Sequence, residues 1–216
     1  MSLPTIDTSN PAVEAFLKNA HRHTFKNREV IVRPGDPADT LYYIIEGSVT
    51  VSLENEDGND LILDYLNAGS FIGELGLFVT QESRQATVTA KAPCVVAGIT
   101  YEQLNTLAQG ALKEHYANIL HSLATQLSHR LLATARKASH LAYIGVSGRI
   151  AHTLLDLCKE PEAMTHPDGM QIRITRTDLG RIAGCSREMA GRVLKSMEEQ
   201  ELITVKGKTI VVFDAR

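Results

Sequence analysis

From Leu112 to Tyr143 the chain reads LKEHYANILHSLATQLSHRLLATARKASHLAY, with no Gly or Pro and mostly helix-favouring residues. Within it Leu120, Ala124, Leu127, Leu131, Thr134, Ala138 and Leu141 recur at alternating intervals of 4 and 3, a heptad seam. The seam is narrow and its flanks are polar (His121, Gln126, His129, Arg130, Arg136, Lys137), so it suits packing against a single partner helix. At ~1.5 Å per residue the stretch would reach roughly 48 Å, longer than a small domain needs. The pattern predicts a spine that pairs with its own copy and joins two domains. Thr134 is the one hydroxyl in the seam, a position that a register or a ligand has to explain.

A length of 216 residues suits two domains, and 44% hydrophobic content supports real cores. No apolar run approaches the ~18 residues of a membrane span, and MSLPTIDTSNP lacks the basic start and apolar core of a signal peptide. A cytoplasmic protein without membrane association is expected. Cys94, Cys158 and Cys185 are isolated, and the eight histidines form no HxxH or HxxxH pair, so neither disulfides nor a metal site is expected. Residues 1–110 hold 7 Lys+Arg against 14 Asp+Glu (−7), whereas residues 171–216 hold 9 against 6 (+3). An acidic front and a basic tail point to the tail as the part that meets a polyanion.

The chain opens with a short amphipathic helix, roughly Pro11 to Asn19. Beyond it come VIV (30–32), LYYII (41–45), VTVSL (49–53), LILDYL (61–66), ATVTA (86–90) and CVVAGI (94–99). Pro34-Gly35-Asp36, Glu46-Gly47, Glu56-Asp57-Gly58-Asn59 and Asn67-Ala68-Gly69 separate them. Strands at this spacing with Gly at the corners describe an antiparallel barrel or roll. Helix returns from Thr100 to Ala108, and Gly110 breaks it.

One stretch in the β region departs from alternation: FIGELGLFVTQESRQAT, Phe71 to Thr87. Gly73 permits close approach to the backbone, and Glu74 to Phe78 can start a short helix whose N–H groups favour an anion. Arg84 could add a forked, charge-assisted contact to the same anion. A carboxylate there would be repelled by a phosphate unless it accepts from hydroxyls, which a ribose provides.

After the spine, Gly145-Val146-Ser147-Gly148 makes a hinge-like break, with Ser147 placed to cap a helix over about Gly148 to Cys158. A polar loop, Pro161 to Gly169, follows. Thr175 with Asp178 forms a capping-box variant opening a helix Arg176–Ala183; Gly184 turns the chain; Ser186 caps a helix from Arg187 to about Gln200. Ala190, Val193, Leu194 and Met197 share its inner face, while Arg187, Glu188 and Arg192 share a polar one. That is a helix-turn-helix arrangement, with Arg suited to guanine and Glu to the cytosine amino group. Val205-Lys206-Gly207-Lys208-Thr209 reads as a two-stranded wing with lysines placed for phosphate. Thr175, Arg176, Ser186, Arg187, Glu188, Arg192 and Lys208 are the candidate DNA contacts.

GELGLF followed by R-x-A-T, and preceded by PGDPADTLYYIIEGSV, is similar to the phosphate-binding cassette of cyclic-nucleotide-binding β-rolls. With the spine and the C-terminal segment, nearly the whole chain resembles the Crp/Fnr family of bacterial cyclic AMP receptor proteins (catabolite activators), most closely in residues 70–84 and 145–213. The resemblance implies that Gly73 and Glu74 lie at the ribose, Arg84 at the cyclic phosphate, Leu63 at the adenine, and Thr134 at the purine, with Leu75 also in the ligand-binding set. It also implies an RNA polymerase contact through Ala163, Thr165, His166, Asp168 and Gly169, and a second through His21 and His23, although Gly98 and Gln103 lack that contact's charged partners. Three departures stand out. Gln85 replaces a small hydroxyl residue near the phosphate, Ala135 replaces a hydroxyl that would reach the base from the partner subunit, and the segment near Gln109 to Tyr116 is about five residues longer.

The expectation is therefore an α+β protein. It has a cyclic-nucleotide-binding double-stranded β-roll (1–110), a dimerisation helix (111–144) and a winged helix-turn-helix (145–216). It would act as a homodimeric transcription regulator, controlled by cyclic AMP, on palindromic DNA. A same-fold regulator that is ligand-independent or answers to cyclic-di-GMP is the alternative. A redox or gas sensor would need a cysteine cluster or a haem-ligating pair, and an enzyme would need a base–nucleophile or metal constellation beside Glu74 and Arg84; neither is visible.

Overall fold

The computed structural model describes residues 10–54, 60–80 and 82–215. Two compact units divide the chain within the long helix: one holds residues 3–59 and 63–132, the other 133–216 with 60–62.

In the first unit, α1 (Pro11–Asn19) begins with Pro at its first turn and with the Asn10 side chain accepting from the Ala12 N–H at 3.0 Å. The six strands expected from the apolar or alternating runs are present as Val30–Val32 (β2), Thr40–Glu46 (β3), Ser48–Glu54 (β4), Asp60–Asn67 (β5), Thr87–Ala90 (β7) and Cys94–Thr100 (β8). Two more lack that signal. His21–Phe25 (β1) is an exposed edge strand of polar residues, and Phe71–Ile72 (β6) is too short to alternate. The turn expected at residues 56–59 lies outside the described residues. Two four-stranded sheets result, ordered β1-β8-β3-β6 and β2-β7-β4-β5. Gly47 turns β3 into β4 at φ +89°, where a Cβ would sit 2.4 Å from the Pro93 carbonyl, so only glycine fits.

Val32, Ile44, Val49, Leu66, Ile72, Val88 and Val96, drawn from both sheets, form one core. The other face of β3 and β8 is buried too, by Ala12, Val13 and Phe16 of α1, Leu104 of α3 (Tyr101–Ala108), and Ile119 and Leu123 of α4 (Tyr116–Tyr143). That explains the near-continuous apolar run of β8. The long helix starts four residues later than its composition suggests. Residues 112–115 are turns, because Leu112 is fully buried and its N–H returns to the Leu107 carbonyl at 2.8 Å. α4 spans 28 residues, about 42 Å at ~1.5 Å each.

The second unit packs α5 (Val146–Leu157), α6 (Arg176–Ala183) and α7 (Arg187–Glu199) on a four-stranded sheet, β11-β12-β10-β9. Its strands are β9 (Met164–His166), β10 (Gly169–Arg173), β11 (Ile203–Lys206) and β12 (Thr209–Phe213). Two expectations need correction here. α5 begins two residues early, capped by Gly145 without a side-chain bond, so Ser147 lies inside its first turn instead of capping it. The polar segment 161–169 is no open loop: it contributes β9, which pairs with β10 (Met170 opposite Thr165), so wing and hairpin share one sheet. No helix among the described residues is long and apolar enough to cross a membrane.

Candidate nucleotide pocket and DNA-reading helix

Gly73, Glu74 and Arg84 come together at the end of the first sheet. Gly73 has φ +85°, and a Cβ there would lie 2.5 Å from Arg84 Nη1 and 2.7 Å from the Thr40 carbonyl. Any side chain at 73 would therefore displace the guanidinium. Arg84 is 8% exposed. It donates through Nη1 to the Gly73 carbonyl (3.4 Å) and to the Tyr101 hydroxyl (3.2 Å), and through Nη2 to the Thr40 carbonyl. The Tyr101 hydroxyl in turn donates to Gly73 O. Burial pushes that hydroxyl above the ordinary phenol range, and the adjacent Arg84 charge opposes the rise.

Glu74 is 3% exposed and is matched by Arg130 of α4, whose Nη1 pairs with Oε1 while Nη2 donates to the Phe71 carbonyl at 2.7 Å. Asp64 lies 3.6 Å from Arg130 Nε. Arg130 and Tyr101 are thus members of the cluster that spacing did not reveal; Arg130 reads in the sequence as a polar flank of the seam. A second stripe held the signal: Ile119, Leu123, Gln126 and Arg130 follow the same 4, 3, 4 spacing, one residue (about 100°) round from the seam.

Of the other pocket candidates, Leu63 on β5 is 36% exposed, and Leu75 is exposed as the first residue of α2 (Leu75–Phe78). Gln85 is exposed and folds its amide back onto the Ser83 carbonyl at 3.3 Å. Thr134 and Ala135 are exposed on α4, beyond the point where the units divide.

In the second unit the caps of α6 and α7 are those expected. The Thr175 hydroxyl accepts from the Asp178 N–H at 3.0 Å, and the Ser186 hydroxyl from the Met189 N–H at 3.1 Å. Gly184 closes α6 in the left-handed region (φ 64°, ψ 49°). Gly180 lets the two helices approach, since a Cβ there would meet the Cys185 carbonyl at 2.6 Å. Ala190, Val193, Leu194 and Met197 are buried. Arg187, Glu188 and Arg192 are exposed together, Glu188 and Arg192 at 3.7 Å across one turn, with Arg176 exposed at the start of α6. Lys206 and Lys208 flank Gly207 (φ +65°) at the exposed tip of the β11–β12 hairpin.

Among the polymerase-contact candidates, Thr165 and Asp168 are exposed on the β9–β10 hairpin, where Ala163 and His166 are half-buried and Gly169 is buried. The Asp168 N–H donates to His166 Nδ1 at 3.3 Å. His21 and His23 are exposed on β1.

Comparison with known proteins follows this division. The cyclic nucleotide-binding domain family matches residues 22–110, and the Crp-like helix-turn-helix domain family matches residues 148–216. The chain is 50% identical over 207 residues to the cAMP-activated global transcriptional regulator Vfr of Pseudomonas aeruginosa, covering 94% of each chain. It is 46% identical over 213 residues to the CRP-like protein Clp of Xanthomonas campestris, covering 99% of this chain and 93% of that one. Among solved structures, the c-di-GMP-responsive global regulator CLP of Xanthomonas campestris superposes with a TM-score of 0.91 at 47% identity, over 94% of this chain and 98% of that one.

Proposed function

Since this chain belongs to the Crp family of DNA-binding transcription regulators, we propose that it works as a homodimer in which cyclic AMP, bound in the roll, controls how two winged helices engage a two-fold DNA site. The observation that carries this reading is the state of Arg84. It is a buried guanidinium whose hydrogen bonds go to neutral oxygens: two carbonyls and a phenol. Its charge remains available to an anion that exchanges with those weaker acceptors. Glu74, next to Gly73, takes the ribose hydroxyls in exchange for part of its pairing with Arg130. We assign the roll to residues 1–110, the dimerisation helix to 111–144 and the winged helix to 145–216. The exposed seam of α4 pairs the protomers, and Thr134 contacts the purine. The β9–β10 hairpin and the β1 histidines touch RNA polymerase.

Calorimetry with cyclic AMP, cyclic GMP and cyclic-di-GMP, beside DNA-binding titrations with each, tests the reading. Cyclic AMP is expected to bind and to tighten DNA binding; a response to cyclic-di-GMP alone would overturn the choice of ligand. That second reading is supported by the likeness to the c-di-GMP-responsive CLP and by Gln85 and Ala135, where hydroxyls are absent. A neutral hydrogen bond is worth ~0.5–1.5 kcal/mol, so Ala135→Ser should tighten cyclic AMP about two- to tenfold.

Base readout has its own test. Arg187→Ala should cost roughly 1–3 kcal/mol on the preferred site and flatten preference at a guanine. Lys208→Ala should weaken all sequences alike and lower the salt slope by about one unit. Unchanged site preference in Arg187→Ala would mean that α7 faces the groove differently.

A further inference from the structure

β6 is the edge of its sheet, paired on one side with β3. On its other side Gln126 takes both polar groups of Phe71: its Oε1 accepts from the Phe71 N–H at 2.8 Å, and its Nε2 donates to the Phe71 carbonyl at 2.9 Å. A carboxamide is chemically a peptide group, so Gln126 stands where a fifth strand would pair. It is 6% exposed, with the buried Leu123 and Ile119 one and two turns away on one side and Arg130 one turn away on the other. A buried amide is costly unless bonded on both ends, and the Phe71 peptide satisfies both. The Phe71 ring is itself fixed, fully buried and edge-on to Phe16 (5.5 Å) and Tyr43 (5.0 Å).

Phe71 precedes Gly73 by two residues and Glu74 by three. One helical turn beyond Gln126, Arg130 bonds the same carbonyl while pairing with Glu74. A ligand that engages Glu74 changes the Arg130 contact directly, whereas the Gln126 hydrogen bonds go to the Phe71 backbone. Two such contacts, one sensitive to the ligand and one not, turn a local change at Glu74 into a movement of α4 about a held point. We propose that Gln126 is the positioning residue that couples the cassette to the long helix, through the peptide of Phe71. The proposal rests on the nucleotide reading of the Arg84–Glu74 cluster given above.

Gln126→Met keeps length and volume but loses both bonds, and Gln126→Glu keeps the acceptor toward the Phe71 N–H but loses the donor. Each is compared with wild type in three measurements on the full chain: cyclic AMP affinity by calorimetry, DNA affinity with and without cyclic AMP, and amide hydrogen exchange across residues 69–75. Couplings between sites are typically about 5- to 150-fold. Gln126→Met should reduce the cyclic AMP-induced gain in DNA affinity at least about fivefold, leave cyclic AMP affinity within about threefold, and speed exchange at Phe71. Gln126→Glu should fall between. A responsive wild type with an equally responsive Gln126→Met would overturn the coupling role alone. A wild type indifferent to cyclic AMP would overturn the nucleotide reading and, with it, this proposal. Should Gln126→Met fail to fold, Gln126→Glu decides: an undiminished gain in DNA affinity overturns the role, and a reduced gain at near-normal cyclic AMP affinity supports it.

Discussion

Arg84→Leu is expected to abolish the nucleotide-dependent part of DNA binding and to leave the nucleotide-independent part in place. A single charge-assisted hydrogen bond contributes ~1.5–3 kcal/mol, or about 10- to 150-fold in affinity, and a forked contact to a phosphate uses more than one. Leucine offers nothing in return. The substitution also takes the Arg84 donor from the Thr40 carbonyl, while the Gly73 carbonyl keeps Tyr101, so some loss of stability is expected and should be followed by thermal melting. Arg84→Lys separates the two effects: it keeps the charge but loses the fork, and should retain a weakened response. Parallel titrations of wild type and both variants supply the check. If Arg84→Leu answers cyclic AMP as wild type does, the roll is not the sensor and the assignment of the cassette fails.

Leu131→Asp should yield a folded monomer that no longer binds palindromic DNA tightly. Leu131 is 70% exposed on α4, so within one protomer an Asp there disturbs little packing. Across a two-fold seam it would bury two like charges, at several kcal/mol per ion. A cost of about 3 kcal/mol alone weakens association roughly 100-fold. Sedimentation reads the oligomer, and far-UV circular dichroism confirms that the protomer is intact. Leu127, partly buried within its own chain, makes a poorer site for this test because Asp there would damage the protomer as well. A stable dimer in Leu131→Asp would move the interface elsewhere.

Both predictions begin from residues that stand out in the sequence, Arg84 beside GELGLF and Leu131 in the seam. The reasons they can be tested separately come from the structure. Exposure of Leu131 makes its substitution a question about association, and the neutral partners of Arg84 make its substitution a question about an anion. The segment 161–169 shows the reverse case. Its composition suggests an open loop, but Thr165 and Met170 are cross-strand partners, and pairing of that kind is invisible in a short polar run.

Local rules sufficed at many positions whose role depends on near neighbours, although Ser147, placed by the same rule, lies inside α5 instead of capping it. The caps at Thr175 and Ser186, the turns at Gly47 and Gly184, the buried face of α7 and the apolar or alternating runs of the strands are all of this kind, because each follows from backbone geometry that three or four residues determine. A β-roll, a long helix and a capped helix pair with a wing were therefore legible from the residues alone. The contacts that join distant segments emerge only once the chain is packed: Arg130 to Glu74 across 56 positions, Tyr101 to Gly73 across 28, and Gln126 to the Phe71 peptide across 55. A polar residue on a helix reads as solvated until the unpaired edge of a strand is placed against it. Burial then leaves it one set of partners, and that physical necessity, absent from any local pattern, is what places the helix against the cassette.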